Sequence, residues 1–349
     1  AGTTVDKSGQ GLSVNLWDFV DYLILTASMF ACCKDLTWHA DAINHMRKLE
    51  DWSQVLTKCP GLAGKAVIAL ANRHRHKLLA QIKAVRDARV ASGPSVPGPT
   101  EPAELEKLGA DEFPDLLDIV MEEIGEDVEL QLDTVVGTMF AAVANTDAAG
   151  VALLFHIAHD KEVRALVEEE VARVMNAHGG KFSFECLREM VYLEACIMEA
   201  TRLYAINISM RTAQTSLEVG PYQIPPMRVI AISAQNFMSQ GDASAFDQPR
   251  TFRPDRFLPD QPSIKAARKN FLGFGQGRHM CKGMDLAKVE LKMIVSLLLN
   301  GYRVTGMDPG KNAQDGLPDM EWISLGLAYP RNPVMLNLEV REVPLFPVV

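Results

Sequence analysis

The segment Phe274–Gly283 (FGQGRHMCKG) places a single cysteine, Cys281, in a turn rich in glycine. Gly275 and Gly277 allow the backbone to fold tightly and to approach a flat group closely, where a side chain would clash. Apolar residues recur at helical spacing over Met284–Leu299, so we predict a helix there with Cys281 at its N-terminus. The positive end of a helix dipole favours the thiolate, which is the form of cysteine that binds a metal.

Taken alone, this turn allows two interpretations. Cys281 is either a metal ligand or a small buried apolar residue, which is the common role of an unpaired cysteine. Arg278 and His279 lie beside it, where they could meet the acidic groups of a bound cofactor. The other cysteines show no CxxC spacing, so neither a zinc site nor a disulfide scaffold is expected; they are Cys32, Cys33, Cys59, Cys186 and Cys196.

A second pattern pairs a glutamate with an arginine. Glu199 and Arg202 are three residues apart in the predicted helix Leu193–Tyr204, so they share one face. Such a pair is usually solvated. Arg256 follows in a proline-punctuated loop, and a buried cluster with Glu199 would give both arginines the partner that burial requires.

These segments, in this order and with the cysteine last, resemble the cytochrome P450 family. The resemblance runs from about Leu12 to the C-terminus and rests on Phe274, Gly277, Cys281 and Gly283 in the loop, on Glu199 and Arg202 in the helix, and on Arg256. It implies a mainly α (α+β) fold with small β-sheets, lacking the amino-terminal helices and first-sheet strands of the family.

The resemblance also implies haem b, with the Cys281 thiolate as axial ligand of its iron. Phe274, Gly277 and Gly283 are then expected to shape the haem loop. The haem propionates are expected to meet Arg278, His279 and Arg211.

The helix expected across the other face of the haem is predicted over Leu132–His159. Its centre reads Asn145-Thr146-Asp147, whereas most monooxygenases of the family carry an acid before the threonine to deliver protons. Asn145 has no titratable proton, so the relay runs either through Thr146 and water or through Asp147, which faces about 100° away. Alternatively, Asn145 and Thr146 only satisfy backbone carbonyls in a bent helix.

The distal motif is most similar to the branch of the family that contains sterol 7-hydroxylases and prostacyclin synthase. The Gly-Arg-His version of the haem loop is equally similar to sterol 14-demethylases. We therefore expect a monooxygenase that inserts one oxygen atom from O2 into a large apolar substrate, a sterol, fatty acid or other lipid, with electrons from a redox partner. Two alternatives stay open. One is a lipid peroxide isomerase, and the other is a structural subunit of a larger assembly with little or no catalysis, which exposed apolar surface would favour.

The 349 residues are 48% hydrophobic and 23% charged, with a net charge of −9. This composition predicts a helix-rich globular body and disfavours nucleic acid as a partner. Basic residues nevertheless surround Cys281, and we expect the face near Lys282 to receive an electron-transfer partner, unless these are ordinary solvated side chains. They are Lys265, Arg268, Lys269, Arg278, Lys282, Lys288 and Lys292.

We predict one catalytic domain over residues 1–349, with a surface linker at 92–102. Two aspartates inside the apolar run Asn15–Cys33 favour a buried helix over a membrane span, and we expect no signal peptide or transmembrane helix in this sequence. The resemblance implies a further amino-terminal stretch, which could carry an anchor, so localisation stays open.

The remaining pattern adds helices and strands around these motifs. Helices are predicted over 37–54, 65–90, 112–124 and 160–176, and β-like patterns over 216–229 and 322–338. His74 and His76 lie in a basic run that is typical of a solvated helix face, and His156 and His159 are interpreted as structural.

Overall fold

The computed structural model describes residues 4–5, 11–37, 39–56, 61–92, 114–204, 208–233, 238, 245–313, 318–322 and 328–347. The chain divides into two compact units, Ala1–Trp17 with Ala148–Val349 and Asp18–Asp147. That residues 1–349 form one catalytic domain stays a prediction. The predicted linker lies outside the described residues apart from Ser92.

The unit Asp18–Asp147 is built from helices that the hydrophobic periodicity predicted. They are α1 (Leu16–Cys32), α2 (Ala40–Leu56), α3 (Gly61–Ala91), α4 (Leu116–Ile124) and the first part of α5 (Val128–His159). The predicted start of α2 at residue 37 was wrong by three residues, because a short 3-10 helix, Lys34–Leu36, ends at Thr37 before α2 begins.

The core of this unit lies where the apolar faces of these helices meet. It includes Leu25, Met29, Met46, Leu78, Ile82, Leu117, Met139 and Val143, all buried. The start of α4 is fixed by a capping box between Asp115 and Asp118. Arg89 at the end of α3 donates to Asp115 (2.7 and 2.8 Å) and to Asp118 (2.7 Å), which ties α3 to this cap.

The other unit contains the last part of α5 and the helices that carry the glutamate–arginine pair and the cysteine loop. They are α6 (Lys161–Ala177), α7 (Phe184–Glu189), α8 (Val191–Tyr204), α9 (Ile264–Asn270) and α10 (Met284–Gly301). The start of α8 is capped from a distance, because Glu170 of α6 accepts from the backbone N–H groups of Tyr192 and Leu193, both at 2.8 Å. This cap fixes the helix on which Glu199 and Arg202 stand.

The strands of this unit form small antiparallel sheets, so the predicted mainly α fold with small β-sheets is confirmed. The largest has the order β1 (Thr4–Val5), β2 (Gly11–Asn15), β10 (Met335–Val340) and β7 (Tyr302–Asp308). Three two-stranded sheets pair β3 (Ile208–Thr212) with β6 (Val229–Ser233), β4 (Leu217–Val219) with β5 (Tyr222–Ile224), and β8 (Met320–Trp322) with β9 (Ala328–Pro330). The predicted β-like segments contain only some of these strands, and β1, β2, β3 and β7 were missed.

Among the described helices, α5 is long and apolar enough to cross a membrane by length and composition. However, 76% of the apolar 18-residue stretch of this helix is buried inside the protein, as is common for a core helix. The buried helix predicted around Asp18 and Asp21 is α1, whose Ile24, Leu25 and Met29 are fully buried.

Candidate active site

The cysteine loop leads into α10 without belonging to it. Gly283 is the N-cap residue and α10 begins at Met284, so Cys281 lies two residues before the cap. The prediction that Cys281 stands at the helix N-terminus was therefore wrong by this short distance. Because the influence of a helix dipole is confined to the first turn, the loop itself determines the surroundings of the thiol.

Backbone hydrogen bonds and two left-handed glycines fold the loop. Gly275 and Gly277 have φ values of 74° and 62°, a region that residues with a Cβ atom rarely adopt. The Cys281 N–H donates to the carbonyl of Phe274 at 2.7 Å, and the Met280 N–H donates to the carbonyl of Gly277 at 3.1 Å. These bonds close the turn around a short 3-10 helix, Gly277–His279.

The loop is anchored by aromatic packing on one side and exposed on the other. The Phe274 ring packs against a core that contains Phe257 and Phe271, with the Phe271 and Phe274 ring centroids 6.0 Å apart. Every residue from Gln276 to Gly283 is exposed, and the exposed fraction of Met280 is 45%. The start of the loop is thus packed through Phe274, while Cys281 is exposed on the surface.

The predicted Glu199, Arg202 and Arg256 side chains lie in direct contact. Arg202 forms a bidentate pair with Glu199, Nε to Oε2 at 2.7 Å and Nη2 to Oε1 at 2.8 Å. Arg256 donates from Nε to Glu199 Oε1 at 3.0 Å, and the Arg253 N–H donates to the same oxygen at 2.9 Å. Glu199 and Arg202 are both completely buried.

Backbone carbonyls complete the surroundings of the two arginines. Arg202 Nη1 donates to the carbonyls of Met238 and Pro249, both at 2.6 Å, and Arg256 Nη1 donates to the carbonyl of Asp247 at 2.9 Å. Burial lowers the pKa of Arg256, and the Glu199 carboxylate acts in the opposite direction. The cluster therefore fixes Met238 and the segment 247–256 against α8.

The sequence analysis did not predict a role for three residues of this region, Met238, Phe246 and Gly273. Met238 links the cluster to the segment just before the cysteine loop, because its carbonyl accepts from Arg202 and its sulfur accepts from the Leu272 N–H at 3.0 Å. The Phe246 ring lies 5.0 Å from the Arg202 guanidinium carbon. Neither residue belongs to a spacing pattern. Gly273 does belong to a pattern, because glycine recurs at alternate positions before Cys281. A Cβ atom at position 273 would lie 2.5 Å from a ring atom of Phe271, so only glycine fits there without a shift of the ring.

The basic face around the loop is smaller than predicted. Arg278, His279 and Lys282 are exposed, and Arg278 Nε donates to His279 Nε2 at 3.3 Å. By contrast, Lys292 is buried and donates to Glu194 (2.8 Å) and to a backbone carbonyl, while Lys288 pairs with the same Glu194 at 3.0 Å. Both lysines of α10 thus share one carboxylate, which offsets one of their two positive charges.

Arg211 belongs to the same unit as the cysteine loop, whereas the three distal residues belong to the other unit. Arg211 is exposed on β3, in the same unit as Cys281, and its Nη1 donates to the Met210 carbonyl at 2.8 Å. Asn145, Thr146 and Asp147 belong to the other unit. There, Asn145 is exposed, whereas Thr146 and Asp147 are buried.

Asp147 belongs to a cluster of three carboxyl side chains that the sequence analysis did not predict. Carboxylate oxygens of Asp21, Glu50 and Asp147 lie within 4.8 Å of one another. Arg47 pairs with Asp21 at 2.5 Å. Burial raises the pKa of Asp21 and raises that of Glu50 to about 7. Carboxyl groups on α1 and α2 thus surround the residue that follows Thr146.

A model of the cytochrome P450 family matches residues 73–337 of this chain. The chain belongs to the cytochrome P450 family. Among curated P450s, it is 30% identical to probable cytochrome P450 28a5 of Drosophila melanogaster, over 54% of this chain and 37% of the relative. It is 30% identical to corytuberine synthase of Coptis japonica, over 62% of this chain and 44% of the relative.

Sterol-metabolising P450s are among the similar proteins. Human lanosterol 14-alpha demethylase is 29% identical over 50% of this chain and 34% of the relative. Overall, the chain spans between 34% and 48% of the length of these curated P450s. The solved structure of the retinoic acid bound cyanobacterial CYP120A1 shares the fold, with a TM-score of 0.76 at 17% identity over 94% of this chain and 70% of that one.

Membership of the P450 family implies haem with a cysteine thiolate as axial ligand, and the loop fits this group. Among the described cysteines, Cys281 alone is exposed. Burial raises the pKa of Cys186, of Cys196 and, to about 12, of Cys33, which disfavours their thiolates. The exposed surface of the loop combines glycine, a thiol, Met280 and basic side chains, and this mixture suits a flat apolar ring that bears acidic substituents.

Proposed function

We propose that this P450 is a monooxygenase that inserts one oxygen atom from O2 into a C–H bond of a large apolar substrate. The second oxygen atom leaves as water, and a redox partner supplies the electrons. The observation that carries the proposal is the exposed Cys281 thiol in a glycine turn anchored to a packed core. When bound, haem supplies the oxygen chemistry, favoured by electron donation from its thiolate ligand.

In this proposal the chain's own residues hold and orient the cofactor. Cys281 is the axial ligand, Phe274, Gly277 and Gly283 shape the loop, and basic side chains hold the propionates. Those side chains are Arg278, His279 and Arg211. Glu199, Arg202 and Arg256 act indirectly. Arg202 holds Met238, whose sulfur accepts a hydrogen bond from Leu272, two residues before the cysteine loop.

Proton delivery is assigned to Thr146 on α5. Its neighbour Asn145 carries no titratable proton, so the proton comes through Thr146 with water or from Asp147. Buried Asp147 lies beside Glu50, whose pKa of about 7 keeps it partly protonated near neutral pH. Glu50 thus places a group that releases a proton near neutral pH within 4.8 Å of the Asp147 carboxylate.

The relatives support a substrate class, and the exposed charges support a kind of redox partner. The likeness to lanosterol 14-alpha demethylase supports a sterol or another lipid as substrate. The exposed basic side chains of Arg278, His279 and Lys282 support an acidic electron-transfer partner on the face near Lys282.

The test of the haem site is the absorption spectrum of the reduced protein under carbon monoxide. We expect the strongly red-shifted Soret band of a thiolate-bound haem, and we expect Cys281→Ser to abolish it with helix content unchanged. Cys186→Ser, which also removes one thiol, should keep the band. An unchanged spectrum in Cys281→Ser would contradict the assignment.

The test of the proton route is the coupling of electron consumption to product formation. Thr146→Ala should consume electrons without a matching yield of product. Thr134→Ala is the matched control, because its hydroxyl only bonds the Leu130 carbonyl of the same helix, at 2.7 Å. Equal coupling in both variants would remove Thr146 from the mechanism.

A structural subunit of a larger assembly is the second candidate function. It is favoured by exposed apolar side chains on the strands β3 to β6, which are Met210 (61% exposed), Val219 (50%), Tyr222 (72%) and Val229 (65%). A folded protein without any haem band would favour this role. The third candidate, a lipid peroxide isomerase, rests on the missing acid at Asn145 and predicts turnover of a lipid peroxide without a reductant.

A further inference from the structure

Two histidines from different helices of the unit Asp18–Asp147 meet nitrogen to nitrogen. His45 of α2 and His74 of α3 have their Nδ1 atoms 3.2 Å apart. Their ring centroids are 5.3 Å apart and the ring planes are tilted by 59°. The pattern that predicted His74 on a solvated helix face missed this contact, because His45 is distant in sequence and His74 is half-buried.

The spacing of the two Nδ1 atoms matches that of two ligands on one metal ion. Histidine nitrogens bind Zn²⁺ at about 2.0–2.1 Å, so two of them on a tetrahedral ion lie about 3.3 Å apart. A bound ion would replace the proton that one neutral imidazole otherwise donates to the other. Both rings would then carry their remaining proton on Nε2, which leaves both Nδ1 lone pairs free to bind.

The electrostatic surroundings favour the neutral form of both imidazole rings, which can bind a metal ion, and they limit the kinds of ion that bind. Burial lowers the pKa of both histidines, with Lys77 acting on both and Arg73 and Lys48 adding to the effect at His74. Asp41 of α2 acts in the opposite direction on His45. Neutral imidazole is the ligand form, whereas the nearby cations disfavour hard ions that bind mainly through charge.

We propose that His45 and His74 form a binding site for a borderline divalent transition metal ion, of which Zn²⁺ is the reference, that fastens α2 to α3. Water completes the coordination of the ion. The proposal is independent of the haem chemistry, because neither helix carries a residue of the cysteine loop.

Calorimetric titration of the metal-free protein with Zn²⁺ tests the site. We expect one equivalent to bind, and we expect His45→Gln and His74→Gln each to weaken that binding at least about tenfold. His76→Gln is the matched control, since His76 is exposed on the same helix, and it should leave binding unchanged. Cys281→Ser, titrated in parallel, separates binding at the exposed thiol from binding at the pair. Absence of binding, or binding that survives both substitutions, would overturn the site.

Hydrogen–deuterium exchange of the unsubstituted protein provides a test that does not depend on the variants folding. Zn²⁺ should slow exchange in peptides from both Ala40–Leu56 and Gly61–Ala91, because an ion held by both helices opposes their separation. Mg²⁺ at the same concentration should have no such effect. Unchanged exchange in the two helices with Zn²⁺ would contradict the proposal.

Discussion

Glu199→Gln should strongly destabilise the unit that carries the cysteine loop. Glu199 accepts hydrogen bonds at 2.7, 2.8, 2.9 and 3.0 Å, three of them from the buried side chains of Arg202 and Arg256. Glutamine keeps one acceptor oxygen but turns the other position into a donor that faces a guanidinium group. The substitution therefore leaves two buried positive charges without a counter-charge.

The size of the effect follows from this burial. Removing one partner of a buried ion pair costs about 3–5 kcal/mol, against a typical total stability of 5–15 kcal/mol. Because 1.36 kcal/mol corresponds to a factor of ten, local opening should become at least about a hundredfold more frequent. The backbone carbonyls around the arginines remain in place and satisfy hydrogen bonds, but they do not neutralise the charge.

Hydrogen–deuterium exchange and urea unfolding measure this change. Exchange should accelerate in peptides from Val191–Tyr204 and Pro254–Phe257, and the unfolding midpoint should fall. Glu169→Gln is the matched control, because Glu169 is exposed on α6 and its change should stay within about 0.5 kcal/mol. Equal stability of the two variants would refute the reasoning that Glu199 compensates the buried arginines.

Further predictions concern glycines and one buried carboxyl group. Gly180→Ala should lower the thermal midpoint of unfolding much more than Gly179→Ala does. Both glycines have positive φ, but only at position 180 would the new Cβ lie 1.8 Å from a backbone carbonyl oxygen. This overlap should add about 1–3 kcal/mol to the loss of stability. Gly273→Ala should destabilise the protein by a similar amount and weaken haem retention, measured by haem release, because the added methyl group displaces the aromatic base of the cysteine loop. The pKa of Glu50, raised by burial to about 7 from 4.5, means that the folded state holds this proton more tightly, so the stability it contributes is fully present below pH 4.5 and is lost as pH rises through 7. Glu50→Gln should remove this decline, worth up to about 3 kcal/mol in unfolding titrations, and substitution of the exposed Glu169 by Gln should not. A decline that persists in Glu50→Gln would assign it to another group.

Local sequence determined the elements and the parts of the site that lie close together in the chain. The helices followed from apolar residues at helical spacing, the turn of the cysteine loop from Gly275 and Gly277, and the Glu199–Arg202 pair from its three-residue separation. The whole set of motifs, in its order, was enough to indicate the P450 family. The start of α10 at Met284 was predicted correctly, but the start of α2 was not, because a short 3-10 helix competes there with the periodic pattern.

Only the tertiary structure decided the contacts between distant segments. Met238 bridges the arginine cluster and Leu272 just before the cysteine loop, Glu194 pairs with Lys292, and His45 contacts His74, yet no sequence spacing marks any of these contacts. Periodicity reports which residues share a face within one element, over about three or four positions. It does not report which faces pack together, and that packing determines which charges are buried and which ring nitrogens come within bonding distance.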